Sequence, residues 1–227
     1  MLAAGADDRM RHALVPLLAA LAAVPAFATP DPEVLLLDDA EERARRVNEG
    51  ELVFLPQRPE RPVHHHMTRL EVTRDALASG WVLLQQCHEG LDQVPELQIV
   101  YQPGKLRRLD VVAHRNVEAA WVEGDSVQIR NIGADAAVCI AAEARALHRT
   151  GDGTYELRNG PFMRRFLDGY FPMHVSLEVL LPEGLVLTGT TPEPQPGFAL
   201  RPSGRWWLID AWFEGKLSTV LRLRDGG

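Results

Sequence analysis

From Val63 to the end of the chain, apolar and polar residues alternate in short runs, and each run stops at a turn-forming cluster. That rhythm predicts strands over 63–73, 81–88, 96–102, 105–113, 117–122, 125–130 and 136–148. Gln102-Pro103-Gly104, Glu123-Gly124-Asp125 and Gly133-Ala134-Asp135 are read as the intervening turns. After Gly151-Asp152-Gly153 the rhythm resumes over 155–158, 173–181, 185–191, 197–201, 205–214 and 216–224. Successive strand side chains point to opposite faces. Trp206 and Trp212 therefore share one side of 205–214, with Trp207, Ile209 and Phe213 on the other. One segment breaks the rhythm: Phe162, Phe166 and Tyr170 recur at i, i+4 and i+8. That spacing predicts a short helix or ordered loop over 162–171, with all three rings on one face.

Ahead of Val63 the pattern is different. Residues 38–48 read as a surface helix, acidic in its first turn, with Arg43, Arg45 and Arg46 in its last turns, and Asn48-Glu49-Gly50 ends it. Glu51 to Leu55 is a short strand, and Pro56 to Pro62 is a proline-rich linker. At the start, Arg9 to His12 lead into an apolar run from Ala13 to Val24, closed by Pro25-Ala26-Phe27-Ala28. A positive start, a short apolar middle and an Ala-x-Ala end describe a cleaved secretory leader over 1–28. Asp7 and Asp8 fit that leader poorly, so Met10 is the expected start. The apolar run is shorter than the ~20 residues a membrane span needs, and no cysteine near the cut offers a lipid anchor. The expected organisation is a signal peptide over 1–28, then a helix, short strand and linker over 29–62. A β-sandwich domain follows over 63–150, and 151–227 is a second immunoglobulin-like domain or a continuation of the same sandwich.

Strands at this spacing without intervening helices give the fold class: mostly β, an antiparallel sandwich of immunoglobulin-like architecture with a short N-terminal helix. The order strand, Leu181-Pro182-Glu183-Gly184-Leu185, strand, proline-rich loop, strand, strand resembles the meander of bacterial immunoglobulin-like modules. The resemblance is architectural. Ala137 stands two residues before Cys139, where a tyrosine corner would need Tyr, and Trp121 lies too far from Cys87 to be the buried core tryptophan.

Composition narrows the function. A net charge of −7 argues against nucleic acid as a partner. Cys87 and Cys139 are the two cysteines, and in an exported protein they are expected to pair, closing a loop worth about 4 kcal/mol on the chain-entropy model. A bonded cysteine is no nucleophile. No serine sits in a Gly-x-Ser-x-Gly elbow, and no phosphate loop, dinucleotide fingerprint or His-Glu-x-x-His motif is present. Asp110, Glu143, Glu178 and Asp210 fall within strands, but nothing in the sequence pairs them for acid–base work.

Three features hold candidate chemistry. In Val63-His64-His65-His66-Met67, a strand places His64 and His66 on one face and His65 and Met67 on the other. The first pair suits zinc or copper, the second is softer and suits copper, and His88, His114 or His174 is a candidate third ligand. Trp206 and Trp212 form a candidate sugar-stacking surface. Phe162, Arg164, Arg165, Phe166 and Tyr170 combine aromatic rings with arginines, as interface cores do. The expected function is an exported, non-catalytic binding or assembly module of the bacterial periplasm, partnering another envelope protein. The alternatives are copper or zinc binding through His64–Met67 with His88, and carbohydrate binding through the strand tryptophans.

Overall fold

A computed structural model describes residues 49–166 and 169–226, so the leader over 1–28 and the helix over 38–48 lie outside the described residues. In chain order the elements are β1 (Val53–Phe54), β2 (His64–Glu71), α1 (Ala76–Ser79), β3 (Trp81–Glu89), β4 (Glu96–Val100) and β5 (Leu106–Glu123). Then come β6 (Ser126–Arg145), β7 (Leu147–Gly151), β8 (Thr154–Phe162), β9 (Arg164–Phe166) and β10 (Gly169–Phe171). The chain closes with β11 (Met173–Leu180), β12 (Leu185–Thr191), β13 (Phe198–Ser203), β14 (Trp206–Glu214) and β15 (Leu217–Asp225). The protein is nearly all β. Among the described residues no helix is long and apolar enough to cross a membrane.

A nine-stranded sheet runs β1-β14-β11-β2-β3-β6-β4, with β13 also beside β14 and β5 beside β6. Strands from both sides of Gly151 are thus hydrogen-bonded into one sheet, and β2 and β11, which meet at its centre, are parallel. A four-stranded sheet runs β12-β15-β8-β7. The period-two pattern explains how the sheets stack. In β11, Met173, Val175, Leu177 and Val179 are buried while His174, Ser176, Glu178 and Leu180 are half-exposed. These inward residues join Leu70, Leu84, Ile209 and Phe213 of the large sheet and Leu157, Leu217, Leu221 and Leu223 of the small one in a single apolar cluster. Burying one such leucine contributes about 2 kcal/mol.

The long hairpin of β5 and β6 holds a second cluster. Val127 and Ile129 from its outer limb pack with Val138 and Ile140 from its inner limb, so the hairpin folds back at its middle. Four separate strands are expected from the sequence here, but the chain forms two long ones. Asn116, Asn131 and Asp135 adopt left-handed φ of 54°, 49° and 53°, and the β5–β6 register shifts between Arg115 and Val117. Of the clusters read as turns here, Glu123-Gly124-Asp125 is the turn between β5 and β6, whereas Gly133-Ala134-Asp135 lies within β6 and bulges a continuous ladder.

Where a short helix or ordered loop is expected over 162–171, the described residues are mostly strand. Phe162 ends β8, and β9 and β10 pair as a small antiparallel hairpin, with Arg165 opposite Tyr170. Positions four and eight apart are also even spacings, so the ring pattern fits a strand as well as a helix. Cys87 and Cys139 face each other across β3 and β6, with Cα atoms 4.1 Å apart, and form the expected disulfide.

Candidate functional site

Where β2 and β3 leave the main apolar cluster, their inward positions turn polar: His66 and Thr68 on β2, Gln86 and His88 on β3. All four are buried. They form a closed network with His64 and Tyr101. His64 Nε2 lies 2.9 Å from His88 Nδ1, and His88 Nε2 lies 3.3 Å from Gln86 Oε1. Tyr101 donates its hydroxyl to the same Oε1. Gln86 Nε2 donates to His66 Nε2 at 2.8 Å, and the Thr68 hydroxyl is 2.7 Å from that nitrogen. One proton assignment accounts for these contacts, with the single lone pair of His66 Nε2 shared between the Gln86 amide and the Thr68 hydroxyl. His64 and His88 carry Nε2–H, His66 carries Nδ1–H, and all three rings are neutral.

Electrostatics agree with that assignment. Burial, aided by the Arg164 charge, holds His64 down to about 4. Burial and the neighbouring imidazoles push His66 and His88 well below the ordinary histidine range. Burial also raises the Tyr101 hydroxyl above its usual range. Phe162 caps the group, its ring centroid 4.8 Å from that of His66. The network is thus a polar partition between the two apolar clusters.

The outer face of the same strands is built differently. His65, His174 and Trp212 lie side by side across β2, β11 and β14, because His174 registers with both His65 and Trp212. Their rings stack, with centroids 4.0 Å apart for His65–His174 and 3.9 Å for His174–Trp212. Arg58 extends the stack, its guanidinium carbon 5.1 Å from the Trp212 centroid. In the next row, His174 Nε2 meets Asp210 Oδ1 at 2.6 Å. The Ser176 hydroxyl donates to the same oxygen at 3.5 Å and lies 2.8 Å from His65 Nε2. The hydrogen bonds from His174 and then Trp212 hold the Asp210 carboxyl below its usual range, against the opposing effect of burial. His65 is lowered by burial and by its neighbour His174.

The sequence motif is therefore divided by the sheet. His64, His66 and His88 converge, but His65 and Met67 lie on the opposite face, so these five residues do not form one ligand set. His114 is exposed on β5, and His174 joins the outer row. Among the described residues, no group of three or more His, Cys, Asp or Glu side chains is disposed to hold a metal ion.

Trp206 and Trp212 share the outer face, as alternation predicts, and Trp207 packs against the core. They do not make a flat sugar platform. Six residues separate them by roughly 20 Å along the strand. His174 covers one face of Trp212 and Arg58 the other, while Arg69 lies over Trp206 at 5.0 Å. In the β9–β10 hairpin, Arg164 is 5.5 Å from the centroids of both Phe166 and Phe171, and its Nε donates to Asp92 at 3.0 Å. Arg165 and Lys216 both approach the Tyr170 ring, at 5.6 and 5.1 Å.

Sequence reasoning missed Gln86, Thr68, Tyr101, Ser176 and Arg58. For Gln86 and Thr68 a signal existed, since each lies two residues from a histidine and so shares its face. Polar residues at inward positions of an alternating strand mark a buried network. Arg58 has no such signal, because a loop carries no periodicity.

No family model and no curated protein matches the chain. Among solved structures, it is similar to a two-domain M1 zinc metallopeptidase mutant bound to L-tryptophan, at 11% identity and a TM-score of 0.37. It is also similar to an M1 zinc metallopeptidase mutant from Deinococcus radiodurans bound to a Tyr-Ser-Ala substrate, at 12% identity and a TM-score of 0.36. Each match covers 70% of this chain and 41% of the other. The chain thus spans about two fifths of the length of those structures, and likeness at this level assigns neither fold nor activity.

Proposed function

We propose that the chain is an exported binding or assembly module of the bacterial periplasm, built on an immunoglobulin-like sandwich and meeting a protein partner through the β9–β10 hairpin. The observation that supports this reading is the alternation of cations and rings along that hairpin. Arg164 is locked between Phe166, Phe171 and Asp92, while Tyr170 is flanked by Arg165 and Lys216. Met163 is 42% exposed beside it and Arg165 is exposed at its surface. Rings and guanidinium groups already held in place lose little side-chain entropy on docking, which favours an interface. Export is supported by the Cys87–Cys139 disulfide, a bond that persists in oxidising compartments. A photo-crosslinking residue at position 165 tests the reading in intact cells. One dominant protein adduct, lost when Tyr170 is changed to Ala, is the expected result. No adduct above that from an exposed control position contradicts it.

A second reading, copper or zinc bound by His64, His66 and His88, is favoured by the 2.9 Å approach of His64 to His88. It requires the metal to replace the shared protons of the network. Titration of the wild type against a His64→Ala/His66→Ala variant decides it, and equal affinities end it.

A further inference from the structure

We propose that the groove beside Trp212 is a binding site for an organic cation, an ammonium or guanidinium group, and that Arg58 occupies it in the free protein. The groove has a volume of about 240 Å³ and is lined by Leu55, Pro56, Arg58, Gln195, Asp210 and Trp212, among others. That is below the range of pockets for drug-sized ligands and suits a small head group. One face of Trp212 rests on His174, which fixes the indole in place. Arg58 must therefore cover the other face, the one that opens on the groove. An indole face is the strongest aromatic partner for a cation.

Two features distinguish Arg58 from a structural cation. It is exposed on the proline-bearing loop 56–62, and among the described residues it makes no hydrogen bond or ion pair. It thus uses the ring and makes no ion pair with the Asp210 carboxylate, whose side chain is 45% exposed and which the charge of Arg201 also reaches. A small free cation in the groove gains the indole face and the carboxylate field together, and it releases a side chain that, among the described residues, rests on the ring without a hydrogen bond or ion pair. The wall behind is rigid. Gly197 has φ +84°, and a Cβ there would fall 2.6 Å from the Leu55 carbonyl oxygen, so the two loops that frame the groove are in direct backbone contact. The chain's net charge of −7 favours cationic ligands further.

This inference goes beyond the hairpin interface. The groove shares no lining residue with β9 or β10, and a missing adduct at position 165 leaves it standing. The cation has two possible sources, a free quaternary ammonium compound or an arginine on a partner protein. The test follows the Trp212 indole N–H by NMR while tetramethylammonium or N-acetyl-arginine amide is added, with sodium chloride as the ionic-strength control. A saturable shift at Trp212 with either organic cation is expected, and the tighter of the two identifies the source. Arg58→Ala should tighten binding about five-fold by removing the resident competitor, and Asp210→Asn should weaken it by a similar factor. Arg58 is an exposed loop residue, so that variant does not put folding at stake. A shift no larger than that from sodium chloride, or an affinity unchanged in Arg58→Ala, overturns the proposal.

Discussion

Three consecutive histidines of β2 enter two different worlds. His64 and His66 turn inward and join a buried hydrogen-bonded network of neutral rings. His65 turns outward and joins a stack that ends at an exposed arginine and a half-exposed carboxylate. The inner group is buried, hydrogen-bonded and capped by Phe162, whereas the outer group is open on one side and borders a groove. The difference teaches that a histidine cluster in sequence is not a cluster in space. The pleat divides it: one half is buried in a hydrogen-bonded network, and the other lies in a part-exposed stack of rings.

If that division is right, damage to the inner group should cost far more than damage to the outer one. The largest effect is expected for Gln86→Leu. It removes the group that satisfies His66, His88 and Tyr101 together and leaves several buried polar atoms unpaired, at a cost of about 3 kcal/mol or more in denaturant unfolding. A loss below about 1 kcal/mol would show that the network is not closed as described.

Acid should act in the same place. The unfolded chain binds a proton at His64 near its ordinary value of 6.5, while the folded chain resists until about 4. Stability from this residue is therefore complete above the upper value and is lost as pH falls through that window, by up to about 3 kcal/mol. His66 and His88 shift in the same direction and add to the loss. Urea midpoints measured above and within the window should fall together with pH, and a flat profile would contradict neutral inner histidines.

The disulfide lies on the outer side of β3 and β6, and it acts on the unfolded chain rather than on the network. Paired Cys87→Ser/Cys139→Ser replacement should cost about 2–4 kcal/mol while leaving the pH profile unchanged in shape. The smallest effect belongs to the outer row. Ser176→Ala removes a half-exposed hydroxyl that water can replace, so its cost should stay within about 1 kcal/mol. A larger loss would mean that the outer stack is structural too.

Much of the fold was legible in the sequence, for a physical reason. Half-buried strands such as β11 and β14 alternate so regularly that both their bounds and their inward faces could be read directly. The disulfide followed from the even cysteine count and the expected export. What could not be read depends on backbone conformation or on partners distant in sequence. Asn116, Asn131 and Asp135 resemble turn residues but make bulges, because left-handed φ serves both purposes. Phe162, Phe166 and Tyr170 fit two periods at once, and the pairing of β9 with β10 decides between them. At the site, alternation separated His65 from His64 and His66 correctly. The partners of each face, His88 and Tyr101 on one side and His174 and Asp210 on the other, depend on strand order, and strand order is not local.

The most direct test of the division is the protonation of the inner histidines. Nitrogen-15 spectra of the imidazole rings, recorded from about pH 8 down to about pH 5, report the tautomer and charge of each ring. The account predicts that His64 and His88 keep the Nε2–H form and His66 keeps the Nδ1–H form, all neutral, across that range. An imidazolium at any of the three within it, or a different tautomer at His66, would contradict a closed inner network.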